Sequence, residues 1–383
     1  MKLETHIRSV EAEIQENKLI LRSKNPLKIV SSAVLNGGSK EANCIINVQV
    51  AEDAGSDMDD EVHKEAGDFL IEETTKMGVA QDQVVAIMTA ARMKNVEAVT
   101  QKFEDITLTT FVTAGAYFAA TPGDEIASKQ NAFPFKKWGT INTIVLVDGN
   151  LTESCMVNAI VTATEAKAAA LRELDVRSRF SGEVATGTVT DSVVIACTKQ
   201  GRTIKYAGSG TALGELIGKS VKAALKKAIF NQENMFSNRP LIRRLEERGI
   251  TVENLTTLFS QIRPILREDL QKRQQFTTEL KHVLSDQNIA ALVIAGLRLD
   301  EDAKVDLIPA NSDNEYGRKF VLHKILQKAV TDYLSKEQAP SKFVRPDYLS
   351  STFSDEMGWF TRSVLSAVMY SVYSNVVTDQ SET

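Results

Sequence analysis

The sequence predicts an α+β domain, a mixed α/β layered structure, followed by an all-α C-terminal domain. Three observations carry this. Up to about residue 230, short Val- and Ile-rich runs recur between turns marked by Gly, Asn and Pro, interleaved with segments of helical period. Beyond residue 238 the strand signals vanish and only helical periods remain. Between the two, Asn231–Asn238 is polar and breaks both periods. The predicted domains are therefore 1–230 and 239–383, with 231–238 as linker, which suits a chain of 383 residues.

The elements follow in order. Ile7–Val50 alternates in twos and predicts strands joined by turns at Glu16-Asn17 and Asn25-Pro26, with Asn36-Gly37-Gly38 as a further turn. A helix is predicted over Glu61–Met77, a buried strand over Gln83–Thr89, a helix over Ala90–Phe103 and a strand over Ile106–Thr113. Thr121–Phe135, with Pro122, Gly123 and Pro134, reads as a long surface loop of the kind that often carries function. A buried strand over Ile144–Val147 precedes an Ala-rich helix, Thr152–Leu174, capped by Thr152. Val193–Cys197 is an apolar strand and Arg202–Tyr206 a further strand, and Thr211–Phe230 is an amphipathic helix with Thr211 as its cap. Six helices are predicted beyond the linker: Leu241–Arg248, Val252–Arg263, Glu268–Leu284, Ile289–Leu297, Arg318–Ser335 and Glu356–Val376.

Composition narrows the function. A net charge of −5 leaves no basic footprint for nucleic acid. Cys44, Cys155 and Cys197 are far apart and odd in number, which fits a reducing compartment rather than a disulfide framework. His6, His63, His282 and His323 make no zinc pattern, so no metal site is expected. There is no apolar run long enough to cross a membrane and no signal-peptide core at the N-terminus, so the cytoplasm is the expected location and no membrane partner is expected.

Chemistry concentrates in Ala185–Ser192, Ala-Thr-Gly-Thr-Val-Thr-Asp-Ser, at the mouth of the Val193–Cys197 strand. Gly187 lets a ligand approach the backbone; the hydroxyls of Thr186, Thr188, Thr190 and Ser192 offer donors and acceptors, and Asp191 offers a base. A solvated loop whose Asp and Ser cap a turn has the same composition. Thr162, Glu165 and Ala166 share a helical face by spacing, and Gly208-Ser209-Gly210-Thr211 places a Gly-rich loop at a helix start, where Glu215 suits the dipole.

Ser31–Gly38 (SSAVLNGG), Val112–Gly115, Gly139–Val147 (GTINTIVLV), Thr162–Lys167 (TATEAK), Ala185–Ser192 and Tyr206–Gly218 (YAGSGTALGELIG) occur in the order found in the adenosylcobinamide amidohydrolase family, which residues 28–230 resemble. The resemblance implies hydrolysis of the amide joining the aminopropanol arm to the corrin ring, a step of corrinoid salvage with a corrinoid as substrate and no required cofactor. Two departures stand out. Tyr117-Phe118 replaces a Ser-Asn pair, and Val189 replaces a second Gly in Thr-Gly-Thr-Gly-Thr-Asp, where a positive φ would be difficult for Val. The matched motifs supply Asp191 and Glu165 as candidate general bases, acting on water or on a Thr hydroxyl. Asn36, Gly37, Gly38, Thr140, Asn142, Thr162, Lys167, Thr186, Thr188, Thr190, Ser192, Ser209 and Thr211 are candidates for the substrate pocket, with Gly37-Gly38 and Gly208–Gly210 as oxyanion donors. A corrinoid-binding protein that has lost turnover is the competing expectation.

The helical domain resembles the archaeal α-ribazole phosphatase domain, related to phosphatidylglycerophosphatase A, through Leu245–Thr251, Ala295-Gly296-Leu297, Leu307-Ile308-Pro309 and Phe343-Val344-Arg345 with Asp347. Where that pattern carries acid pairs this chain has His323-Lys324 and Arg362-Ser363, and Leu349–Thr352 replaces a basic run. Magnesium needs hard oxygen ligands, so the expectation is a domain without phosphatase activity; the alternative is activity kept through displaced acids such as Asp347, Asp355 and Glu356. Its surviving apolar stripes make a homo-oligomer a further expectation.

Overall fold

The alternating N-terminal residues form β1 (Lys2–Leu3), β2 (Val10–Gln15), β3 (Lys18–Ser31) and β4 (Gly38–Gln49). The structure, a computed structural model, describes residues 1–50, 60–126, 139–308, 322–335 and 357–378. The chain divides into two units, Met1–Ser237 and Asn238–Thr383. Both units follow the predicted classes, α+β and then all-α.

β3 does not turn at Asn25-Pro26 as predicted. It runs on, and its register against β4 shifts between Arg22 and Leu27. A bulge absorbs a proline that has no N–H for the ladder. The predicted helix over Ala90–Phe103 is also corrected. A single tight turn, Met93–Asn95, leads into β6 (Glu97–Phe103), which pairs with β7 (Ile106–Ala114) across Glu104-Asp105. The β-branched Val99 and Thr100 suit the pleat, and cross-strand pairing with β7 decides the segment.

The other elements of this unit are α1 (Asp60–Lys76), β5 (Val84–Thr89), β8 (Ala119–Ala120), β9 (Ile141–Asp148), β10 (Asn150–Leu151), α2 (Glu153–Glu173), β11 (Gly187–Thr188), β12 (Ser192–Cys197), β13 (Thr203–Ile204) and α3 (Ala212–Glu233). Thr152 and Thr211 cap α2 and α3 by accepting from the N–H of Cys155 and Gly214. Most of the predicted loop Thr121–Phe135 lies outside the described residues.

The main sheet has nine strands in the order β1-β2-β3-β12-β9-β7-β6, with β4 and β5 branching from β3. β2 and β12 share one edge of β3 while β4 takes the other. The β3 bulge lets the branches curl around one interior. That interior is filled by Leu19, Leu21, Leu27, Ile29, Ile45, Ile87, Phe111, Ile144, Leu146 and Val194. On the outer faces, α2 packs on β12 and α3 on β7 and β6, with Met156 and Ile217 in one apolar cluster with Leu108, Val145, Val147 and Ile195, while Leu70 of α1 packs on Ile46 and Val48. Strand alternation thus gives every central strand an inner and an outer apolar set.

The second unit comprises α4 (Leu241–Glu246), α5 (Val252–Ile262), α6 (Pro264–Glu268), α7 (Leu270–Leu284), α8 (Gln287–Lys304), α9 (Leu322–Leu334) and α10 (Trp359–Thr378). Its core centres on Phe259, stacked on Phe276 at 5.3 Å and met edge-on by Tyr370 and Tyr373. Asp300 of α8 accepts from the N–H groups of Phe360 and Thr361 and so caps α10. Burial holds its carboxyl above the usual range.

Candidate active site

The motif Ala185–Ser192 forms β11 and the turn into β12. Its organising side chain is Asp191. Oδ1 accepts from the Ile141 N–H at 3.0 Å and from the Thr188 hydroxyl; Oδ2 accepts from the Thr188 N–H at 3.1 Å and from the Lys167 ammonium. Lys167 and Asp191 are each about a tenth exposed. Glycine is required at 187 by space: a Cβ there would lie 2.5 Å from Asp191 Oδ2 and 2.9 Å from Lys167 Nζ. The Thr140 hydroxyl ties the loop further by donating to the Thr190 carbonyl at 2.8 Å. β11 pairs with β8, so Thr188 lies opposite Ala119.

The two departures from the family pattern meet beside this cluster. Val189 packs against Phe118, Ala120 and Phe180 in one small apolar group. Val189 is absent from the residues of positive φ, so its side chain brings no backbone strain. Tyr117 is exposed, holds Arg179 over its ring at 4.9 Å, and accepts from Arg179 Nε at its carbonyl.

The other predicted carboxylate stands elsewhere. Positions 165 and 167 are about 200° apart around a helix. Lys167 faces the Asp191 loop, whereas Glu165 is exposed on the flank shared with Thr162. Thr162 donates to the Ala207 carbonyl at 2.7 Å and Asn158 accepts from the Ala207 N–H at 3.2 Å, so this flank anchors the Gly208–Gly210 loop. Ser209 is exposed there, and Thr211 is committed to the cap of α3 and to the Gly208 carbonyl. Glu165, Ser209 and Thr211 are not among the groups that bond to Asp191. Thr186 is held by its backbone on Ala120, and Thr190 is exposed. Asn36 ties the β3–β4 turn to the start of β5: its amide donates to the carbonyls of Gln81 and Val84, beside exposed Gly37 and Gly38.

Asn142 and Ser192 sit opposite each other in register on the inner face, with Ile144 and Val194, away from the Asp191 side chain. Asn142 Nδ2 donates to Asn47 Oδ1 and the Met88 carbonyl, and Asn47 donates to Thr113. Sequence reasoning missed Asn47 and Thr113. The signal was there for Asn47, an amide inside Ile45-Ile46-Asn47-Val48, where a polar residue needs a partner.

No three His, Cys, Asp or Glu side chains gather as metal ligands among the described residues. Burial pushes the Cys44 and Cys155 thiols up to about 11, which keeps them protonated. No helix among the described residues is long and apolar enough to cross a membrane. In the second unit, His323 lies buried against Trp359, and Arg362 and Ser363 donate to the carbonyls of Met357 and Trp359. Asp347, Asp355 and Glu356 lie outside the described residues.

A model of the adenosylcobinamide amidohydrolase (CbiZ) family matches residues 2–236. An adenosylcobinamide amidohydrolase of Methanosarcina mazei is 30% identical over 230 residues, which cover 57% of this chain and 98% of the relative. Uncharacterized protein MJ1613 of Methanocaldococcus jannaschii is 31% identical over 245 residues, covering 60% of this chain and 92% of that one. The solved PH0078 protein from Pyrococcus horikoshii OT3 aligns over 57% of this chain and 79% of its own with 11% identity and a TM-score of 0.30, too low to bear on the fold.

Proposed function

The chain belongs to the adenosylcobinamide amidohydrolase family, and from that premise we propose that it hydrolyses the amide between the aminopropanol arm and the corrin ring of adenosylcobinamide, giving adenosylcobyric acid and aminopropanol. The reaction consumes one water and transfers no electrons, so it calls for a base, an oxyanion donor and a proton for the leaving amine. The observation that carries the reading is the Lys167–Asp191–Thr188 cluster, a positioned carboxylate and hydroxyl inside the matched region. With that product, the proposed reaction is a step of corrinoid salvage.

The test is incubation of purified protein with adenosylcobinamide and mass analysis of the corrinoid. Adenosylcobyric acid supports the reading, and unchanged substrate after prolonged incubation rejects it. A second reading, a corrinoid binder without turnover, draws on one observation: every acceptor position of Asp191 is already filled. It predicts a shifted corrinoid spectrum with no product. For the second unit we infer no magnesium-dependent phosphatase activity, because His323, Lys324, Arg362 and Ser363 offer no carboxylate where the phosphatase pattern has acids. Phosphate release from α-ribazole phosphate would contradict this.

A further inference from the structure

Resting on the amidohydrolase reading, we propose that Thr188 is the nucleophile and that hydrolysis runs through an ester on its Oγ1. A carboxylate offers about four acceptor positions. In Asp191 they are taken by two backbone N–H groups, the Lys167 ammonium and the Thr188 hydroxyl. No position is left to draw a proton from an attacking water. Of the four donors only the Thr188 hydroxyl is both a nucleophile and already aimed at the base, which is the arrangement covalent catalysis needs.

The other hydroxyls and thiols fit less well. Ser192 faces the opposite side of the sheet, and the loop that carries Ser209 is anchored at Asn158 and Thr162 rather than at Lys167. Cys44, Cys155 and Cys197 are buried. Thr188 is half-buried, so its hydroxyl stands at the edge of the cluster rather than within the core. The N–H groups of Val189 and Thr190, in the turn that follows, are not among the donors to Asp191. They are placed in sequence to receive the oxyanion, as the N–H after a nucleophile commonly does. Lys167 is a positioning residue: it fixes Oδ2 so that Oδ1 faces the hydroxyl.

The steps balance. Thr188 Oγ1 bonds to the amide carbonyl carbon while its proton passes to Asp191. The C–N bond breaks, and the nitrogen leaves as a neutral amine with the proton from Asp191. Acylated Thr188 no longer donates to Asp191, so a position is open; water then adds to the ester carbonyl and gives a proton to Asp191. The C–O bond to Thr188 breaks, and Oγ1 takes that proton back. One amide and one water become one acid and one amine.

The experiment compares the full-length protein with Thr188→Ser and Thr188→Ala on adenosylcobinamide. Each is quenched in acid for intact mass and peptide mapping, and repeated with hydroxylamine present. Expected are a corrinoid acyl adduct on the Thr188 peptide, hydroxamate among the products, turnover by T188S within about tenfold of wild type, and a loss of at least about 10³-fold in T188A with corrinoid binding retained. T188A turning over within about threefold overturns the proposal. So does an inactive T188A when wild type and T188S give neither adduct nor hydroxamate, because that outcome leaves Thr188 only a structural role. A wild type that makes no adenosylcobyric acid rejects the amidohydrolase reading itself, a result distinct from both.

Discussion

At Asp191 one carboxylate holds a loop and, in the proposed reaction, takes the proton of the Thr188 hydroxyl. Its pairing with Lys167 takes both charges largely out of water, so removing one partner strands the other. Lys167→Met is expected to lower unfolding stability by about 3 kcal/mol and turnover by more than about 100-fold; urea melts and initial rates measure the two. Gly187→Ala tests space rather than charge. Its Cβ would press on both members of the pair, and a displacement near 1 Å costs on the order of 100-fold in rate. A variant as active as wild type would mean that the pair does not set the site. Residue identities at this site were legible in the sequence: Asp191, Thr188 and Lys167 all lie in matched motifs. Their grouping was not. Lys167 and Glu165 share one motif, yet two residues on a helix face nearly opposite ways, so only Lys167 reaches the loop. The Asn142–Asn47–Thr113 chain links three strands distant in sequence, and no local pattern signals such a meeting.

Among the elements, the largest difference lies in β6, where long-range pairing with β7 decides a segment of ambiguous local period. The caps of α2 and α3, by contrast, are local chemistry, and Thr152 and Thr211 were readable as such. The apolar group around Val189 shows why two departures occur together. A valine in place of glycine gains burial only if an aromatic neighbour receives it, and Phe118 does. Val189→Gly is expected to lower stability by about 1–2 kcal/mol through lost burial and added chain freedom, with Tm as the readout. The α1 helix is tied to β3 by Glu73, which meets Lys18 at 2.7 Å and Lys76 at 2.8 Å. These hydrogen bonds, first Lys18 and then Lys76, hold the Glu73 carboxyl below the usual range. The unfolded chain then binds the proton first as pH falls. The contribution is complete above the ordinary carboxylate range and is lost as pH drops through the folded-state value. Glu73→Gln should therefore cost about 1–3 kcal/mol at pH 7 and progressively less in acid, flattening the acid limb of a Tm-against-pH curve. Parallel curves for both proteins would contradict this assignment.

For the molecule as a whole, the family match and the first unit nearly coincide, residues 2–236 against Met1–Ser237. The Methanosarcina relative is covered over 98% of its length by 57% of this chain. Residues 1–237 expressed by themselves are therefore expected to unfold cooperatively and to keep adenosylcobinamide turnover within about threefold of the full chain. A truncated protein that aggregates would show that the helical unit is needed for folding. The two fold classes were legible because strand and helix periods differ so plainly on either side of residues 231–238. The curl of the sheet was not, because it depends on the β3 bulge and on one strand pairing with three others. The proposed role of Asp191 is tested by incubating wild type and Asp191→Asn with adenosylcobinamide, with both released aminopropanol and the corrinoid followed by mass. Equimolar aminopropanol and adenosylcobyric acid are expected from wild type, and a rate reduced at least about 100-fold in D191N. No aminopropanol from wild type, or equal rates from the two proteins, would contradict it.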